Sequence, residues 1–221
     1  MCGRYSLGMS EGELIEVFDV PPLEFEYRPR YNIAPSQDAP IVARDFRGRR
    51  MGLMRWGFRP RWARDDRPGF INARAETAAS KPSFRDAFRK RRCLVPADGF
   101  YEWAAPGGGT PGEGAKGPKV PYWFHPAQGR LLGMGGIWEG DTFAILTTDA
   151  NGDVRDVHGR MPLLIHPEDW KVWLDAATGP ERLGGLLGPP PDGTLLRHAV
   201  STRVNSPANE GPDLIEPVEG G

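Results

Sequence analysis

Apolar residues along this chain gather in many short runs and only a few helical stripes, the pattern of a sheet-rich protein. Ser10-Glu11-Gly12-Glu13 has the form of a capping box and precedes Leu14, Ile15, Val17 and Phe18, so a first helix is predicted over roughly residues 11–19. Pro82 starts a second helix with Phe84, Ala87 and Phe88 on one face. Pro167 starts a third, with Trp170, Trp173 and Leu174 at helical spacing. The remaining apolar runs are short, β-branched or aromatic, and bounded by Gly or Pro: Ala39–Ala43, Gly52–Phe58, Cys93–Pro96, Val120–Phe124, Leu131–Trp138, Phe143–Thr147 and Leu196–Ser201. They predict strands. The fold class expected is α+β: a single domain over 1–221, with a mostly antiparallel, barrel-like sheet and a few peripheral helices.

Two segments punctuate this pattern. Ala104–Pro118 holds six Gly and three Pro in fifteen residues and cannot bury enough apolar surface to order itself, so a flexible loop is expected at about 104–119. Gly188-Pro189-Pro190-Pro191-Asp192-Gly193 separates a short helix from the last strands, and the tail 211–221 is expected to be partly irregular. No period of 20 to 50 residues recurs, which argues against a solenoid or propeller.

The 221 residues suffice for one well-buried core, and their formal charge of -1 excludes a protein whose whole body is a cationic glove. The total hides an asymmetry. Residues 28–92 hold 18 Lys/Arg against 6 Asp/Glu, leaving 10 against 23 elsewhere. A polyanion-facing surface built from the basic third is one reading, and neutralisation of that third by the acidic remainder is the other. Cys2 and Cys93 are too few for a disulfide scaffold or a four-thiolate zinc site. The acidic first twenty residues and the shortness of every apolar run, well under the about 20 residues of a membrane helix, predict a soluble, untargeted chain.

Removal of Met1 would leave Cys2 as an N-terminal 1,2-aminothiol. Its α-amine, with an ordinary pKa of about 7.7 to 8.0, is partly unprotonated near neutrality, and a thiol of about 8.5 stands ready to follow. With an aldehyde the amine gives an imine, and the thiolate closes onto the same carbon as a five-membered ring. Taken alone, Cys2 reads first as a buried or merely tolerated residue at a frayed chain end. Glu102, between Tyr101 and Trp103, has apolar neighbours in sequence, yet on an alternating strand it points away from both and reads as an exposed carboxylate. Of four His, His125 and His166 each precede Pro and look like turn residues, and His198 lies in a strand pattern. His158 sits in an irregular segment, the usual setting of a functional imidazole. Asn72 could be a turn amide and Asn32 a cap. Arg55-Trp56-Gly57-Phe58-Arg59-Pro60-Arg61-Trp62-Ala63-Arg64 interleaves aromatic and basic residues as single-strand binders do. Trp56 and Phe58 are expected in the core, Trp62 at the surface, and Cys93 in a buried strand.

Met1-Cys2-Gly3-Arg4-Tyr5, Arg30-Tyr31-Asn32-Ile33-Ala34-Pro35, Ile71-Asn72-Ala73-Arg74-Ala75-Glu76-Thr77, Pro96-Ala97-Asp98-Gly99-Phe100-Tyr101-Glu102-Trp103, Val157-His158-Gly159-Arg160-Met161-Pro162 and Val204-Asn205-Ser206-Pro207 together resemble the SRAP family of SOS-response-associated peptidase-like, abasic-site processing proteins. The resemblance implies a sensor of abasic sites in single-stranded DNA that crosslinks to them through Cys2. It implies catalytic roles for Cys2, Glu102, His158 and Asn72, with Glu102 and His158 as the acid/base pair. Among DNA-binding residues it implies Arg4 and Arg74 on phosphates, Asn32 and Asn72 orienting the strand, and Trp62 as an aromatic wedge. The family often carries a second Trp directly after that wedge, where this chain has Ala63. Pro35, Trp103 and Thr147 complete the implied DNA-contacting set.

The function expected is covalent thiazolidine capture of the lesion, a crosslinking or lyase-type activity that shields it during the DNA damage response. The alternatives are an N-terminal-nucleophile cysteine peptidase with autoprocessing activity, and a non-covalent single-stranded-DNA binder. No cofactor or metal is expected. The expected partners are single-stranded DNA containing abasic sites and the replication machinery, with no membrane. A cytoplasmic, nucleoid-associated monomer is expected.

Overall fold

Strands dominate the computed structural model, which describes residues 2–63, 68–105 and 117–218. In chain order the elements are β1 (Tyr5–Leu7), α1 (Glu11–Phe18), β2 (Arg30–Ile33), β3 (Asp38–Asp45), β4 (Gly48–Trp56), β5 (Asn72–Arg74), α2 (Ala75–Ala78), α3 (Arg85–Lys90), β6 (Arg92–Ala97), β7 (Gly99–Ala104), β8 (Val120–Pro126), β9 (Leu132–Glu139), β10 (Thr142–Asp149), β11 (Arg160–Pro162), α4 (Trp170–Leu174), α5 (Pro180–Gly184) and β12 (Leu195–Ala199). Residues 106–116 of the Gly/Pro-rich loop and 219–221 of the tail lie outside the described residues.

Two sheets form. One runs β12-β8-β7-β1-β2 and is antiparallel throughout. In the other, β10, β4, β3, β6 and β9 pair in turn, and β9 pairs back onto β10, so five strands close into a small barrel. Closure leaves these five strands without an open edge. β5 and β11 flank the C-terminal half of β10, and only the β10–β4 and β10–β5 pairings are parallel. The barrel-like antiparallel architecture expected from the sequence is therefore present.

Local chemistry accounts for the element boundaries. Ser10 and Glu13 form the reciprocal capping box of α1, and Asp19 ends the helix in the left-handed conformation. The β3–β4 hairpin pairs from Asp38↔Arg55 to Asp45↔Gly48, with Gly48 at φ +123° supplying the turn conformation that L side chains disfavour. The helix expected from Pro82 begins three residues later, because Pro82 and Phe84 form the preceding turn; Ala87 and Phe88 are buried as expected. Pro167 opens a single 3-10 turn before α4, whose Trp170, Trp173 and Leu174 are all buried. His125 corrects another expectation: it lies within β8, opposite Leu196, with its ring stacked on Trp123 at 4.7 Å. The strands not anticipated, β1, β2, β5 and β11, are three or four residues long and too short for alternation to be read.

The main core fills the barrel and the layer between barrel and open sheet, where Tyr5 of β1 meets Trp56 of β4 edge-on at 5.3 Å. Trp56, Phe58 and Cys93 are buried there as expected. A second, smaller cluster lies on the other face of the open sheet. Tyr101 and Trp103 of β7 pack with Val200, Val204 and Leu214 of the C-terminal segment. Both faces of β7 are thus covered. The strand has no room for a side chain at Gly99, where a Cβ would lie 2.3 Å from Trp123 Nε1, the atom that donates to Ser6 Oγ.

Buried Arg92 joins the helices to the barrel. Its guanidinium donates to the carbonyls of Trp173 (2.7 Å), Phe88 (2.6 Å), Arg89 (2.9 Å) and Asp175 (2.5 Å). Arg92→Met keeps the apolar stem and orphans these carbonyls, so a loss of about 3 kcal/mol is expected in urea unfolding, with an unchanged slope. A midpoint equal to the parent's would show that the four bonds add nothing to stability.

Candidate functional site

An N-terminal residue meets position 102 because of where β1 lies. β1 is sandwiched between β7 and β2, with Tyr5↔Phe100 on one side and Tyr5↔Ile33 on the other. Tyr101 N–H donates to the Arg4 carbonyl at 3.0 Å, and this antiparallel path carries residues 2–4 alongside Glu102. Cys2 is wholly buried, with Sγ 4.0 Å from the Arg4 carbonyl oxygen. Burial, and then the charge of Glu102, push its thiol far above the ordinary range.

Glu102 overturns the expectation of a solvent-facing side chain. Tyr101 and Trp103 do share a face, but the opposite face of β7 is turned to the main core, and Glu102 is only 4% exposed. Alternation tells which residues share a face and is silent on what covers it. Burial raises the carboxyl above the usual carboxylate range, against the opposing pull of His158, whose Nδ1 is 3.9 Å from Oε1.

The rest of the site gathers at the C-terminal end of β10. β5 and β11 lie on either side of that strand, with Ile145↔Asn72, Thr147↔Arg74, Thr147↔Pro162 and Asp149↔Arg160 in register. Asn72 Nδ2 donates to the Ile145 carbonyl at 3.5 Å, and its buried Oδ1 has no hydrogen-bond partner among the described residues. Arg74 is exposed and Thr147 buried. The turns after β10 bring back His158, whose N–H donates to the Val154 carbonyl at 2.9 Å. Cys2, Glu102 and His158 thus adjoin one another, Arg160 links His158 to Thr147, and Asn72 and Arg74 lie beside β10 in register with Ile145 and Thr147.

Arg4 and Asn32 are turned toward the protein itself. Arg4 Nη1 donates to Asn32 Oδ1 and to the Val204 carbonyl, both at 2.7 Å, and its guanidinium lies 5.9 Å from the Trp103 ring centroid. Asn32 Nδ2 faces the carbonyls of Val204 (3.4 Å), Ser206 (2.9 Å) and Asn209 (2.9 Å). Half-buried Trp103 donates from Nε1 to Asn205 Oδ1 at 2.7 Å. Together they hold residues 204–209 against the outer face of β7. Pro35, half-buried, lies in the turn after β2. Trp62 is 64% exposed, and no contact joins it to this cluster among the described residues.

The basic third divides in two. Arg30, Arg44, Arg50, Arg91 and Arg92 are tied to carboxylates or carbonyls of the chain. Arg59, Arg61 and Arg74 are exposed without an ion pair among the described residues. Sequence reasoning missed Arg160, which donates to Glu76, Asp149 and the Thr147 carbonyl. Both Arg160 and Glu76 stood in the quoted motif blocks, beside His158 and Asn72. Among the described residues no three His, Cys, Asp or Glu side chains group as metal ligands, and no helix is long and apolar enough to cross a membrane.

Residues 1–207 match the family model described as SOS response associated peptidase (SRAP). The chain is 38% identical over 98% of its length to 99% of the abasic site processing protein YoqW of Bacillus subtilis. It is 35% identical over 90% of its length to 69% of the abasic site processing protein HMCES of Gallus gallus. Among solved structures it superimposes with a TM-score of 0.83 on a protein from Bacteroides thetaiotaomicron, at 24% identity over 98% of this chain and 100% of the other. That likeness bears on the fold alone.

Asn32→Asp would set a carboxylate against carbonyls that now receive N–H groups. Hydrogen exchange of residues 201–216 is expected to accelerate by about ten- to a hundredfold, matching the loss of one or two buried hydrogen bonds, while barrel amides stay protected. Equal protection in parent and variant would show that Asn32 does not hold this segment.

Proposed function

The chain belongs to the SRAP family, and on that premise we propose that it captures abasic sites in single-stranded DNA as a covalent adduct on Cys2. The observation that carries this reading is a buried carboxyl, Glu102, beside the one residue that becomes an aminothiol when Met1 is removed. The names of the relatives as abasic site processing proteins support it.

An abasic deoxyribose is mostly a closed hemiacetal, so a proton must be delivered to open it. Glu102, raised by burial, holds its proton to higher pH than an ordinary carboxyl and is suited to the acid step. The Cys2 amine then attacks the C1′ aldehyde, and loss of water gives an imine. Since the thiol is held protonated, ring closure requires a base; the Glu102 carboxylate left by the first step and His158 are at hand. Sulfur bonds to the imine carbon, nitrogen takes a proton, and a thiazolidine results. Closure removes the imine that would promote β-elimination. Asn72 Oδ1, buried and without a partner among the described residues, is an acceptor for a sugar hydroxyl or the attacking amine. Exposed Arg59, Arg61, Arg74 and Trp62 supply charge and a stacking face for an unpaired strand.

Denaturing gels of the protein with abasic single-stranded DNA should show a stable adduct from wild type and none from Cys2→Ala. Equal adduct from both would end the covalent reading in favour of a non-covalent binder. Glu102→Gln is expected to slow single-turnover capture by about 10² to 10⁴-fold. The wild-type rate should fall as pH rises through the raised Glu102 value, because the acid form is lost there, and this limb should be flat in Glu102→Gln. A wild-type limb that persists unchanged in the variant would remove Glu102 from the proton-transfer role.

A further inference from the structure

His158 meets both polar backbone atoms of a single residue. The Arg160 N–H points to Nδ1 from 3.0 Å, and the Arg160 carbonyl oxygen lies 2.8 Å from the same nitrogen. In this cradle the ring has a partner in either protonation state. Neutral, Nδ1 either accepts from the amide or, when it carries the proton, donates to the carbonyl; charged, Nδ1–H donates to the carbonyl. No ring flip separates the two. Among the described residues, the charged groups about the ring include Glu102 on β7 and, on the side of β10, β11 and α2, Arg160 with Asp149 and Glu76 behind it.

The cradle is only as fixed as the backbone of Arg160, and that residue is clamped from three directions. Glu76 of α2 receives a two-pronged pair, Nη1 to Oε1 at 2.8 Å and Nη2 to Oε2 at 3.0 Å. Asp149 accepts from Nη1 at 2.7 Å and the Thr147 carbonyl from Nη2 at 2.6 Å. Two carboxylates on one guanidinium leave no surplus positive charge for a phosphate, and the Arg160 side chain is mostly buried. Such an arrangement serves geometry rather than ligand charge.

We propose that Glu76 is a positioning residue: its fork-to-fork pair with Arg160 fixes the backbone that holds the His158 imidazole in one orientation beside Glu102. The proposal rests on the catalytic role suggested above for His158, and it assigns Glu76 no contact with DNA.

The test uses the full chain carrying ¹⁵N-labelled histidine rings, with abasic single-stranded DNA as substrate. Wild-type His158 should give a single set of ring ¹⁵N signals, as a ring held in one orientation does. Glu76→Gln should split or broaden those ring signals and crosslink about ten- to a hundredfold more slowly, the range for loss of an orienting partner, with unchanged affinity for undamaged strand. Arg160→Lys, which keeps the charge but not the fork, should behave alike and carries the test if Glu76→Gln fails to fold. Wild-type ring signals and rates in both variants would overturn the proposal. So would tighter binding of undamaged strand by Glu76→Gln at an unchanged rate, since Glu76 would then be a brake on a phosphate-binding Arg160. A wild type that forms no adduct would defeat the covalent reading, and the ring signals would still decide this one.

Discussion

A carboxyl group enclosed between a closed barrel and an open sheet is the constraint around which this protein is organised. Moving a carboxylate out of water costs several kcal/mol, so Glu102 is driven toward its protonated form or toward nearby positive charge. The same enclosure drives the Cys2 thiol to stay protonated. Burial disfavours the charged form of both groups. Chemistry at such a place proceeds by passing protons between neighbours, and His158 at 3.9 Å is the neighbour equipped to take part.

That enclosure depends on pieces far apart in the chain. β1 lies between β2 and β7, which brings residue 2 to residue 102, and the C-terminal segment closes the outer face of β7 through Tyr101, Trp103, Val204 and Leu214. Arg4 and Asn32 hold that segment by its carbonyls. The family resemblance assigns these two residues to DNA, and here Arg4 Nη1 and the Asn32 amide are engaged within the fold. A phosphate role for Arg4 would draw on a guanidinium already bonded to Asn32 and Val204.

Charge follows a similar division. The basic excess of residues 28–92 was legible at once, but its two readings were not separable by counting. Position separates them: Arg44 pairs with Asp175 and Arg92 reaches the carbonyls of Trp173 and Asp175, both across long sequence distances, while Arg59, Arg61 and Arg74 face outward. Counting charges cannot see partners 80 or more residues away.

Local signals carried the α1 capping box, the longer strands, the burial of Trp56, Phe58 and Cys93, and the exposure of Trp62, because each depends on a few neighbouring residues. Short strands such as β5 and β11 escaped, since three residues hold no period. Among the site residues, Cys2 was legible from bond chemistry and the motif blocks from their order along the chain. The burial of Glu102, the inward turn of Arg4 and Asn32, and the clamp of Glu76 and Asp149 on Arg160 were decided only by tertiary structure. They are contacts between segments that no local pattern relates, and desolvation, the force that sets their chemistry, exists only once those segments have packed.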